Sequence, residues 1–165
     1  MIIQQADLFR GMSREFVKEF MDSTKKETFE VGDNVFREGE DANHFYILLK
    51  GRVRLTTGEE GQVVHTVDRP GEAFGWSSLV GRDAYSASAE CIAATKVISM
   101  EREIFRKVVE KTPSDGMAFY QRLAGTVGDR LINSYRSLVL AQPSEGHRTY
   151  GSSLTLLQRS QASPE

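Results

Sequence analysis

Apolar positions fall into three regimes along the chain, and the changes of period mark its elements. Residues 4 to 25 read as two short helices: Ala6, Leu8 and Phe9 make a first apolar patch, Gly11 separates it from a second, and Ser13 is placed to cap a helix with Phe16, Val17 and Phe20 on one face. From Thr28 to Met100 the helical period gives way to short apolar runs broken by Gly32-Asp33, Gly39, Gly51, Gly58 to Gly61, Pro70-Gly71 and Gly81, the punctuation of a small sandwich or jelly roll. In Arg52-Val53-Arg54-Leu55-Thr56 the alternation sends Val53 and Leu55 inward and both arginines to water. The same parity puts Tyr85, Ala87, Ala89 and Cys91 on one face. All but the tyrosine are small, which leaves space inside the sheet.

After Met100 the helical period returns. Ile104, Phe105, Val108 and Val109 mark a helix ending near Thr112-Pro113, and a longer one follows over about 114–142. Met117, Tyr120, Ala124, Val127, Leu131, Ser134 and Leu138 fall on it at alternating four- and three-residue steps. This stripe reads as the seam of a homodimer; the alternative is a face laid on the chain's own sheet. Gly125 and Gly128 beside it cost roughly 1 kcal/mol each in helicity but permit close backbone approach. Residues 142–165, with Pro, Ser, Gly and Gln, read as a flexible tail in which Leu154, Leu156 and Leu157 are candidates for docking. The expected organisation is one domain over 1–141 and no helix-turn-helix domain, since the segment after Ala141 is shorter than the roughly 50 residues a DNA-reading module needs.

Composition narrows the function classes. At 165 residues and a net charge of −2 the chain has material for one core and no global positive field, so direct DNA binding is not expected. The longest apolar run, Phe45 to Leu49, is far too short to cross a bilayer, and the N-terminus lacks the basic and apolar regions of a secretion signal. No membrane association and a cytoplasmic location are expected. Cys91, the sole cysteine, forms neither a disulfide nor a thiolate cluster. His44, His65 and His147 lack the spacing with which jelly-roll enzymes hold a metal, and no nucleophile elbow or Walker loop is present. The chain is expected to be no enzyme, with no cofactor and no metal.

The run Phe29-Glu30-Val31-Gly32-Asp33-Asn34-Val35-Phe36-Arg37-Glu38-Gly39-Glu40-Asp41-Ala42, the run Phe45 to Leu55 around Gly51, and Gly71-Glu72-Ala73-Phe74-Gly75 together resemble the cyclic-nucleotide-binding domain family, which includes the catabolite activator proteins and kinase regulatory subunits. The resemblance spans about residues 6 to 140. It implies a mainly β fold with flanking helices: a double-stranded β-helix, or jelly roll, with N-terminal helices and a long C-terminal helix that packs over the pocket and often dimerises. It also implies a phosphate-binding cassette over residues 75–87, in which family members place a Glu for the ribose hydroxyls and, later, an Arg for the cyclic phosphate. Here those positions are Trp76 and Tyr85.

Losing two charge-assisted hydrogen bonds costs roughly 3 to 6 kcal/mol, or two to four decades of affinity. The expectation is therefore a regulatory or sensor module that binds a small effector, an anion or an aromatic compound, but not cyclic AMP. Gly75, Trp76, Ser77, Ser78, Tyr85 and Ser86 are the expected ligand-binding residues, with the amides and hydroxyls of Ser77 and Ser78 as anion donors. Trp76 and Tyr85 either wall a retained cavity, which the small Ala87 and Ala89 favour, or fill it. In the second case the chain is a ligand-free scaffold whose long helix recruits a protein partner.

Overall fold

In the computed structural model, residues 7–141 are described. The expectations placed on Ala6, on His147 and on the tail at 142–165 lie outside these residues. A 3-10 turn, Asp7–Phe9, precedes α1 (Arg14–Asp22). Ser13 caps α1 by accepting from the Phe16 amide at 3.2 Å, and its hydroxyl donates to Asp115 at 2.6 Å, tying the start of α1 to the first turn of the last helix.

Eight strands follow: β1 (Lys25–Phe29), β2 (Asn34–Phe36), β3 (His44–Lys50), β4 (Val53–Thr57), β5 (Gln62–Val67), β6 (Ala73–Phe74), β7 (Ser88–Cys91) and β8 (Thr95–Glu101). They form two antiparallel four-stranded sheets, ordered β1-β8-β3-β6 and β2-β7-β4-β5, the jelly roll that the sequence implied. Helices α2 (Arg102–Lys111) and α3 (Pro113–Ala141) close the chain's described part.

The apolar run Phe45–Leu49 has a simple cause: β3 is buried on both sides. Phe45 and Ile47 face a helix-side core with Phe9, Phe16, Phe20, Phe105, Phe119 and Leu123, whereas Tyr46 and Leu48 face the interior between the sheets with Phe36, Val53, Leu55 and Phe74. β8 divides in the same way, Ile98 and Met100 on one side and Val97 on the other. β4 keeps the expected parity, with Val53 and Leu55 buried and Arg52 exposed; Arg54 is half-buried and pairs with Glu90 at 2.8 Å.

α3 departs from one expectation. Its packed face carries Gly116, Phe119 and Leu123, while Met117 is 62% exposed and Leu138 64%. Much of the stripe is therefore left uncovered by the chain itself, although Val127 is half-buried, Leu131 and Ser134 border a space beside the sheet, and the Tyr120 hydroxyl donates to the Leu79 carbonyl at 3.3 Å. Within the chain, the close helix contact is at Gly116. A Cβ at Gly116 would stand 2.4 Å from Val109 Cγ1, whereas Cβ atoms at Gly125 and Gly128 would meet nothing within 4 Å.

Candidate functional site

The cassette begins where β6 ends. Gly75 sits at φ +72°, and a Cβ there would lie 3.0 Å from the Tyr46 ring and 3.2 Å from Phe36, so both backbone conformation and space call for glycine. Turning there, the chain enters a 3-10 turn, Trp76–Leu79, and returns to the sheet through residues 82–87. Between this loop, the β2-β7-β4-β5 sheet and the second half of α3 lies a cavity of about 310 Å³. Phe36, Leu55, Val64 and Ala87 form its sheet side, and Val127 and Leu131 its helix side.

Gly75, Trp76, Ser77, Tyr85 and Ser86 all line this cavity. Ser78 does not. It is buried, its amide and hydroxyl both turn back to the Gly75 carbonyl at 3.4 and 3.0 Å, and it offers the cavity no donor. Tyr85 is also committed: its ring stacks on Phe36 with centroids 3.8 Å apart, and its hydroxyl donates to the His44 carbonyl at 2.7 Å and accepts from the His44 amide at 3.1 Å. Burial pushes the Tyr85 phenol above its ordinary value. The ring thus supplies a flat wall and leaves the cavity open, while half-buried Trp76 forms a second aromatic wall and packs against the helix-side core.

A polar cluster at the cavity edge escaped the reading of the sequence. Arg130 on α3, with 16% of its side chain exposed, donates through one terminal nitrogen to Glu72 Oε1 at 3.1 Å and to the Ala73 carbonyl at 2.7 Å. Glu72 is 6% exposed at the side chain, lies 2.7 Å from His65 Nε2 and accepts from the Asp68 and Arg69 amides. Burial alone would raise the Glu72 carboxyl, but the His65 hydrogen bond and the Arg130 charge more than offset that and hold it at about 2. Burial lowers the Arg130 guanidinium and the Glu72 charge partly restores it. Glu72 belonged to a recognised glycine motif, yet nothing in the sequence pointed to Arg130 as its partner 58 positions away. Among the described residues, no cluster of His, Cys, Asp and Glu is arranged to hold a metal ion.

A jelly roll with a cassette on one side and a C-terminal helix closing the cavity defines a ligand-cradling regulatory domain. Known proteins make the assignment specific: the pattern of the cyclic nucleotide-binding domain matches residues 26–112, more than half of the chain. The chain belongs to the cyclic nucleotide-binding domain family. It is 32% identical over 114 residues to human cGMP-dependent protein kinase 2, covering 65% of this chain and 15% of the kinase. It is 26% identical over 116 residues to a CRP-like cAMP-activated global transcriptional regulator of Mycobacterium tuberculosis, covering 68% of this chain and 51% of that protein. The chain therefore spans about half or less of the length of these relatives. Among solved structures, a cyclic nucleotide-binding domain from Methylobacillus flagellatus superimposes with a TM-score of 0.74 at 20% identity, covering 87% and 82% of the two chains. The Thermus thermophilus catabolite activator protein does so with a TM-score of 0.66 at 26% identity, covering 81% and 62%. No helix in the described residues is long and apolar enough to cross a membrane.

Proposed function

We propose that this chain is a sensor module whose cavity takes a small effector other than cyclic AMP or cyclic GMP, and whose α3 pairs with a second copy of the chain. The observation that carries this reading is the cavity of about 310 Å³ kept between α3 and a cassette whose two charged ligand positions are Trp76 and Tyr85. That volume is at the lower end of ordinary small-molecule sites. The scaffold around the exchange is intact, from Gly75 at its left-handed turn to the 3-10 turn after it. A fold relative at 18% identity is the regulatory subunit of a cAMP-independent protein kinase A from Trypanosoma brucei.

Calorimetry tests the reading. Cyclic AMP and cyclic GMP are expected to give no heat of binding at micromolar concentrations in the native chain, and micromolar binding of either overturns it. The double change Trp76→Glu with Tyr85→Arg is expected to restore part of the lost affinity, and neither single change is expected to suffice, because a lone buried charge adds desolvation without its full set of ligand contacts. The near-neutral chain is further read as a domain that does not itself read DNA. Sequence-selective binding that survives about 150 mM salt in a polarisation titration contradicts this.

A further inference from the structure

Most of the polar side chains around the cavity make a hydrogen bond within the chain. Thr57 donates to Glu38 at 3.1 Å, Ser134 to the Arg130 carbonyl at 3.0 Å, and the Tyr85 hydroxyl is held by His44. His65 and Arg130 converge on the same carboxylate, Glu72, so the Arg130 guanidinium already has an acidic partner. An anion entering beside Arg130 meets the Glu72 carboxylate that holds it. On the 3-10 turn, Ser78 spends its amide and hydroxyl on the Gly75 carbonyl. The loosest polar pair in the wall is Ser77 and Ser86, whose hydroxyls stand 3.5 Å apart, at the limit of a hydrogen bond. Everything else facing the space is aliphatic or the face of an aromatic ring: Leu55, Val64, Phe36, Trp76, Val127 and Leu131. Burying a charge in such surroundings without a partner is costly, whereas burying apolar surface is favourable.

We propose that the cavity takes a neutral, largely apolar molecule with one hydrogen-bonding group directed at the Ser77 and Ser86 hydroxyls, and that it discriminates against anions of the same shape. This rests on reading the cavity as the effector site, and the test separates the two. Trp76 is the only tryptophan in the chain and stands in the cavity wall, so its emission reports occupancy of this site.

Two probes share one skeleton and differ by a charge: N-phenyl-1-naphthylamine is neutral, and 8-anilino-1-naphthalenesulfonate carries a sulfonate. The neutral probe is expected to quench Trp76 saturably, with an affinity at least tenfold higher than its sulfonated analogue. The quenching is expected to disappear in Ala87→Phe, which fills the sheet side of the cavity, with the circular dichroism spectrum unchanged. Ser134→Phe, on the helix side, makes the same test should Ala87→Phe fail to fold. Equal or tighter binding of the sulfonate overturns the neutral-ligand inference and leaves the effector site standing. Absence of saturable quenching by either probe, or quenching that survives in both filled variants, overturns the effector site and this inference with it.

Discussion

Up to Leu123, α3 is held to the jelly roll by apolar burial, with Phe119 fully enclosed by Phe9, Phe16, Phe20, Phe45 and Phe105 and Gly116 pressed against Val109. From Val127 onward the same helix meets the sheets across a cavity, and its firm attachment is the guanidinium of Arg130 on Glu72 and Ala73. Beyond that point Tyr135, Leu138 and Val139 are all more than half exposed. The two halves thus answer to different variables. Apolar burial is indifferent to protonation, whereas the second half, which borders the cavity, is held by an ion pair that depends on it. A helix anchored at one end and latched at the other is suited to transmit occupancy of the cavity along its outer face.

The comparison is broken most severely at the anchor. Phe119→Ala removes a ring from a closed core and is expected to cost about 4 kcal/mol, read from the denaturant midpoint, with the pH dependence of stability unaltered. Arg130→Met is expected to cost about 3 kcal/mol, because it leaves the buried Glu72 carboxylate with His65 and the more distant Arg69, at 3.8 Å, as its side-chain partners.

The pH profile separates these two variants. Glu72 is held below its ordinary value of 4.5 at about 2, so its stabilisation is complete above about pH 4.5 and is lost as pH falls towards 2, a change on the order of 3 kcal/mol. Phe119→Ala should keep that slope. Arg130→Met should weaken it and move it to higher pH, since the carboxyl then protonates more readily; an unchanged slope in this variant refutes the latch.

Leu138→Asp addresses the outer face, where Leu138 is 64% exposed. Light scattering should show a dimer for the native chain and a monomer for the variant, because pairing would otherwise bury an unpartnered carboxylate. A monomeric native chain removes the dimer from the proposed function. The smallest expected effect is that of Tyr85→Phe, about 1 kcal/mol, since it removes the hydroxyl's bonds to His44 but keeps the stack on Phe36. It should not recover cyclic AMP binding.

Much of this architecture was legible because it rests on local rules. The cap at Ser13, the glycine turns and the alternation in β4 each need only a few neighbouring residues to be read, and the cassette needs only register with the family's glycines. The latch was not legible. Arg130 lies among exposed residues of a helix and looks like any solvated side chain until the fold brings β6 beneath it. The error at Ser78 has a related cause: sequence shows that a hydroxyl is available and not where it turns, and here the nearest acceptor was the Gly75 carbonyl.

The hydrogen bonds at Tyr85 also bear on the kinetics of binding. Its amide donates to the Glu40 carbonyl and its carbonyl accepts from the Gly39 amide, each at 2.9 Å, while its hydroxyl grips β3. The cassette is thus ordered by internal bonds before any effector arrives, and entry need not first collect a loop from many conformations. Association should then follow a single exponential whose rate rises linearly with effector concentration, without the plateau that a preceding rearrangement imposes. The amides of Gly39 and Tyr85 should exchange slowly with solvent deuterium even in the empty protein.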